Sequence, residues 1–172
     1  MYLTLQEISR EIGILSLING TEYLVWYFRA LGATIGKNVC LYPNGGDPMM
    51  TEPDLVTLGD GVSVDEASII CHINTRGNFA LNPLFVGSQC VLRSHSRLLS
   101  GAVMEENSMM LEHTLVMSGE AVDMSTSWQG WPAKSFQGIG EHQLRITDML
   151  SGDKSIEHFY SESVNYNWQE KV

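Results

Sequence analysis

The chain has 172 residues, of which 44% are hydrophobic and 17% charged. That balance excludes disordered tails, which are richer in charge, and membrane proteins, which carry longer apolar runs. Its 20 acidic and 10 basic residues leave a formal charge of −10 with no Lys/Arg-rich run, which argues against a nucleic-acid partner.

The first predicted element is a helix. Thr4 and Glu7 form a capping-box pair, Leu5, Ile8, Ile12 and Leu15 follow at helical spacing, and Asn19-Gly20 ends the run. A second helical stretch over residues 21–31 carries Tyr23, Trp26, Tyr27 and Phe28, so it is expected to lie on another apolar surface. The most apolar window, residues 13–31, is interrupted by Asn19, Glu22 and Arg29, and it predicts neither a signal peptide nor a membrane span. Residues 1–31 are therefore expected to form an N-terminal helical segment.

From Val86 the character changes to a strict period. Val86, Leu92, Leu98, Met104, Met110, Val116, Val122 and Trp128 are all apolar and six residues apart, a coincidence of about 0.001 at this composition. Four residues after each anchor stand Cys90, Ser96, Ala102, Ser108, Thr114, Glu120 and Thr126, mostly small. A period of six does not fit a helix, but it fits a short strand followed by a corner, with anchor and small residue both pointing inward. Three such units make one triangular coil. The corner falls three residues after the anchor, at Asn38, Gly61, Gln89, Gly101, Asn107 and Gly119, residue types that mostly tolerate positive φ. Read backward, the register passes through Ile70, Val64 and Leu58, then Leu41 and Ile35, with excursions over residues 43–55 and 76–85. Four to five coils are expected over residues 32–135, in an all-β fold with flanking helices. Residues 136–172 are read as a polar tail with weak helical character over 141–150.

The openings Ile35-Gly36-Lys37-Asn38, Leu58-Gly59-Asp60-Gly61 and Val86-Gly87-Ser88, and the closing Gly130-Trp131-Pro132-Ala133-Lys134, resemble the hexapeptide-repeat acyltransferases, built as left-handed parallel β-helices. More narrowly, residues 32–43, His72-Ile73-Asn74-Thr75-Arg76-Gly77 and Trp128-Gln129-Gly130-Trp131-Pro132-Ala133 resemble the acetyltransferase-like domains of polylysine-synthetase-type nonribosomal peptide synthetases. This resemblance implies an acyltransferase that joins a carrier-bound or coenzyme A thioester to an amine or hydroxyl. It implies a phosphopantetheine or CoA donor with no tightly bound cofactor, and a carrier protein or adenylating enzyme as partner. It also implies a homotrimer, for which the outward residues Leu99, Met109, Leu111, Leu115 and Met117 form an apolar surface that a partner copy, or alternatively the N-terminal helices, would cover. Three cysteines, Cys40, Cys71 and Cys90, without CxxC spacing indicate a reducing, cytoplasmic compartment.

Among candidate site residues, His72 is expected at a coil edge beside the second excursion, where a neutral imidazole can take a proton from an incoming amine or hydroxyl. A purely structural corner histidine is the alternative. Asn74 is a candidate oxyanion donor, and Arg76, Arg93 and Arg97 suit phosphate or carbonyl contacts, although solvated or ion-paired arginines fit equally. His95 and His113 lie 18 residues apart, one full coil, so they are expected to stack at a corner, either as tolerated corner residues or reaching a neighbouring copy's cleft beside Glu112. Cys71 reads as a packed thiol rather than a nucleophile. Three histidines invite comparison with a zinc-dependent, carbonic-anhydrase-like hydratase of the same repeat, but no pair five residues apart exists, so no metal is expected. A non-catalytic trimerising scaffold is the remaining alternative. Phosphate-loop, nucleophile-elbow, HExxH and dinucleotide motifs are missing from the chain.

Overall fold

After Gly32 the chain turns at nearly every sixth residue, and most of these turns contain a residue with positive φ. Asn38, Gly61, Gln89, Gly101, Asn107 and Gly119 all take φ between 55° and 75°, as the register predicts, and His95, His113 and Ser125 do the same at φ 60°, 56° and 55°. The structure, a computed structural model, describes residues 14–46 and 48–135. The segment before residue 14, where the Thr4/Glu7 cap is expected, and the tail after 135, with His142 and His158, lie outside the described residues.

Helix α1 (Ile14–Ile18) ends just before Asn19-Gly20, and α2 (Glu22–Ala30) buries Leu24, Val25 and Phe28. The first coil follows as β1 (Thr34–Ile35), β2 (Cys40–Leu41) and β3 (Met49–Met50). The second is β4 (Val56–Leu58), β5 (Ser63–Val64) and β6 (Ser68–Ile69). A hairpin, β7 (His72–Thr75) and β8 (Asn78–Leu81), precedes the third coil of β9 (Leu84–Val86), β10 (Val91–Leu92) and β11 (Arg97–Leu98). The fourth is β12 (Val103–Met104), β13 (Met109–Met110) and β14 (Leu115–Val116), and β15 (Ala121–Val122) with β16 (Ser127–Gln129) begins a fifth. β17 (Lys134–Ser135) folds back antiparallel on β16.

Strands of successive coils pair in parallel into three walls: β1-β4-β9-β12-β15, β2-β5-β10-β13-β16 and β3-β6-β11-β14. This is the triangular parallel β-helix expected from the period, and its levels stack about 4.8 Å apart. The anchors Val86, Leu92, Leu98, Met104, Met110, Val116 and Val122 are fully buried, and so are the small residues Cys90, Ser96 and Ala102 beside them. Burying each anchor contributes about 1.5–3 kcal/mol, so the column of stacked anchors is the main favourable contribution to the prism. Gly59 shows how tightly the levels approach. A Cβ there would lie 2.6 Å from the Ser88 nitrogen, a separation only glycine permits.

Helix α2 sits against the first coil, where its Arg29 guanidinium donates to the carbonyl oxygens of Ile35 (3.1 Å) and Gly36 (2.6 Å). The helix thus satisfies carbonyls at the open edge of the first wall.

Three details depart from the sequence reading. The anchor of β6 is Ile69, paired with Met50 and Leu98, and Ile70 is its half-buried neighbour. The corner Asp65-Glu66 is one residue shorter than its counterpart Arg93-Ser94-His95, and two adjacent isoleucines hide that deletion. The first excursion is not structureless through residue 55, because Met49–Met50 completes the third side of the first coil. The second is a regular hairpin that starts at His72 rather than residue 76, while Leu84–Val86 already belongs to the wall. Of the outward apolar surface, Leu115 is buried within the chain itself, where its backbone bonds Gly130 and Ala133.

Met110 is fully buried and Leu111 only half-buried, on opposite sides of the wall. Met110→Asp therefore abolishes the cooperative thermal transition, since an unpaired buried carboxylate has no compensating partner, whereas Leu111→Ser shifts the midpoint by a few degrees. Circular dichroism melts of both variants check this; equal losses would place the anchor register wrongly.

Candidate active site

The hairpin leaves the prism at the corner between the third and first walls. Its loop is Arg76-Gly77, both at positive φ (50° and 80°), the two-residue turn that matches the twist of a tight hairpin. Side chains alternate along a strand, so His72 and Asn74 share one face of the arm with their cross-strand partners Leu81 and Phe79. The His72 ring stacks on Phe79 with centroids 5.8 Å apart. Phe79 is 63% and Leu81 49% exposed, and Arg76 stands at the exposed tip.

Glu52, which precedes Pro53 at the end of the first coil, lies one level above the root of this arm. Its Oε1 is 2.7 Å from His72 Nδ1, and its Oε2 accepts the Cys71 N–H at 3.1 Å and the Thr51 hydroxyl. A carboxylate can only accept, so the proton of this bond sits on Nδ1, and in the neutral form of the ring the lone pair is on Nε2. The His72 side chain is 36% exposed, and its Nε2 has no hydrogen-bond partner among the described residues. The arrangement is a partly exposed imidazole held through one nitrogen with the other unengaged, which in its neutral form suits proton abstraction. His72 falls three places after the anchor Ile69, whereas counting from Ile70 puts it two places after an anchor.

Cys71 is fully buried, and its thiol is pushed up to about 12, first by burial and then by the charges of Glu52 and Asp54. It is a packed thiol, as expected.

The opposite edge of the third wall carries a second group. His95 and His113 stack with centroids 5.1 Å apart and planes 23° from parallel, the pairing the 18-residue interval predicts. With Arg97, Thr114, Leu115 and Trp131 they line a groove of about 330 Å³, in which Trp131 is 76% exposed. His95 Nε2 lies 3.9 Å from the Glu66 carboxylate. Arg97 has no ion pair among the described residues. Arg93 is outside the groove and bonds Glu112 at 2.9 Å. The Glu112 carboxyl is held below its usual range, first by its own backbone N–H and then by Arg93.

Within one chain, therefore, His72 and Asn74 form one group with Arg76 at the tip of their arm, and His95, Arg97 and His113 form another across the third wall. Sequence reasoning missed Glu52 and Phe79, and quoted Trp131 without a role. Among the described residues no three His, Cys, Asp or Glu side chains are grouped to hold a metal ion, and no helix is long and apolar enough to cross a membrane.

No family model matches the chain. Among solved structures it is similar to a hexapeptide-repeat acetyltransferase of Vibrio cholerae complexed with acetyl coenzyme A, with TM-score 0.56 and 15% identity over 78% of this chain and 88% of that one. A maltose O-acetyltransferase of Clostridium difficile gives TM-score 0.50 and 14% identity over 77% and 87%. The fold is that of the hexapeptide-repeat acetyltransferases. In sequence, 120 residues, 69% of the chain, are 31% identical to the Delta-poly-L-ornithine synthetase of Acinetobacter baumannii. The chain spans only 9% of that protein's length, and the match agrees with the synthetase resemblance seen in the motifs.

The raised Cys71 pKa keeps its thiol protonated through pH 8, far below the titration point near 12. A thiol-specific disulfide reagent at pH 8 should therefore leave Cys71 unmodified in the native protein and label it only after denaturation. Half-buried Cys40 supplies the faster phase. Rapid native labelling of Cys71, located by mass spectrometry, would contradict this account.

Proposed function

We propose that the chain is an acyltransferase domain that moves an acyl group from a phosphopantetheine or coenzyme A thioester to an amine or hydroxyl, with His72 as general base. The observation that carries this reading is the imidazole held through Nδ1 by Glu52 with Nε2 unengaged at the root of an exposed arm. The fold shared with an acetyltransferase that binds acetyl coenzyme A supports it, as does the sequence similarity to a synthetase segment.

In the proposed reaction, Nε2 of His72 takes the proton of the acceptor as its nitrogen or oxygen attacks the thioester carbonyl. Asn74, on the same face of the arm, donates to the resulting oxyanion. Collapse of the tetrahedral intermediate breaks the carbon–sulfur bond, and the His72 imidazolium returns the proton to the leaving thiolate. The groove of His95, Arg97, His113 and Trp131 suits the donor: Arg97 offers a guanidinium fork for phosphate and the exposed indole a flat apolar surface for the pantetheine arm. Arg76 at the arm tip is a second phosphate contact. Arg93, engaged by Glu112, has the weaker claim.

Arm and groove flank opposite edges of one wall, so the reading pairs the arm of one copy with the groove of another in a homotrimer. The half-exposed Leu99, Met109 and Leu111, with exposed Met117, supply apolar contact between copies. A carrier protein or adenylating enzyme is the proposed source of a bound thioester, and the cytoplasm the proposed compartment.

Positioned acid–base groups typically supply about 10²–10⁴-fold, so His72→Ala should lower turnover by that factor while sedimentation still shows the assembled trimer. Release of free thiol from a panel of acyl-CoA and acyl-pantetheine donors, with amines and hydroxyl acceptors, provides the assay. Normal turnover by His72→Ala would remove the base assignment. A wild-type chain that consumes no thioester would leave the trimerising scaffold.

A further inference from the structure

We infer that Asn82 and Ser100 are positioning residues for His72, acting through the Cys71 peptide; the functional meaning of this inference rests on the acyl-transfer reading above. The arm is closed by a neck. Its four rungs run from Thr75–Asn78 to His72–Leu81, and the next rung, Cys71 with Asn82, lies where the hairpin joins the wall. There the Asn82 N–H donates to the Cys71 carbonyl at 2.9 Å.

Ser100, from the coil below, bonds both strands of that neck. Its buried hydroxyl donates to the Cys71 carbonyl at 2.7 Å and accepts from Asn82 Nδ2 at 3.0 Å. Glu52, from the coil above, holds the other end of the same residue by accepting the Cys71 N–H at 3.1 Å. Cys71 is thus clamped at its N–H from above and at its carbonyl from below, with its side chain fully buried. His72 is the first residue beyond this clamp, and its ring returns to the same Glu52 carboxylate. The backbone and the imidazole of His72 are therefore fixed by residues from three levels of the prism, while the arm tip bears no such constraint.

The chain offers an internal comparison. Asn107 Nδ2 bonds Ser125 Oγ at 3.1 Å, the same pair of side chains across one coil, at a corner remote from the arm. That pair is exposed, whereas Ser100 is buried, so it controls for the loss of an Asn–Ser bond across a coil rather than for equal stability. A positioning role requires only the Asn82–Ser100 pair to act on His72.

The test uses full-length protein with ¹⁵N-labelled histidine. The substrate-free imidazole spectrum reads the tautomer and mobility of His72, assigned through His72→Ala. Ser100→Ala and Asn82→Ala are expected to average the Nδ1–H signature of His72 while circular dichroism shows the fold retained. Ser100→Thr, which keeps the hydroxyl, should restore the signature, and Ser125→Gly should leave it as in the wild type. In the thioester assay the same two alanine variants should lose about tenfold in kcat at unchanged KM for the donor, within the range that small misplacement costs. A His72 spectrum unchanged in both alanine variants would overturn the inference, and so would an equal effect of Ser125→Gly. If the spectra change as expected but the wild type consumes no thioester, the positioning role stands and the acyl-transfer reading falls.

Discussion

The whole architecture depends on one repeated constraint: every sixth residue must point into a narrow prism, so the chain must turn sharply between anchors. Most of these turns use a residue with positive φ, and the chain supplies Gly, Asn, Gln, His or Ser at most of those positions. Anchors 18 residues apart, Leu92 with Met110, Leu98 with Val116 and Met104 with Val122, then stack on successive levels, and the wall hydrogen bonds go with the stacking because each coil lies one strand spacing above the last. Where a corner instead extrudes chain, the prism can carry chemistry without losing its core. The arm grows from such a corner, and the walls on either side of it continue in register, with Val56 to Leu58 paired to Leu84 to Val86 across the insertion.

That arrangement explains how His72 is partly exposed and still held by hydrogen bonds at its root. Its strand is outside the prism, but its root is tied to Glu52 above and, through the Cys71 carbonyl, to Ser100 below. The stacked pair of His95 and His113 is the opposite case. Their rings are aligned by the coil itself, since residues 18 apart occupy the same corner on successive levels. The first group needs an insertion and long-range partners, whereas the second needs only the period.

This difference also accounts for what could be read from the sequence. The corners, the anchors from Val86 to Val122 and the histidine stack all follow from a fixed interval, so arithmetic on residue numbers found them. Ile69 could not be separated from Ile70, because a one-residue deletion beside two identical residues leaves no trace in an apolar pattern. Met49–Met50 escaped for a related reason: the loop before it breaks the interval, and the strand has only two residues. Glu52 lies 20 residues before His72, an offset composed of one coil plus the irregularities of two corners, and no spacing rule selects one acidic residue among 20. Phe79 was invisible until the hairpin register placed it on the His72 face.

In the proposed function, the unengaged nitrogen of His72 and the groove of His95, Arg97, His113 and Trp131 serve one reaction between copies of the chain. The most direct measurement is a crystal structure of the assembled protein with a non-reactive acyl-pantetheine thioether analogue. The account predicts the pantetheine arm along Trp131 and Arg97 of one copy, with the acyl group ending beside His72 Nε2 of another. An analogue seated elsewhere on the prism, or His72 and the groove facing away from each other in the assembly, would contradict it.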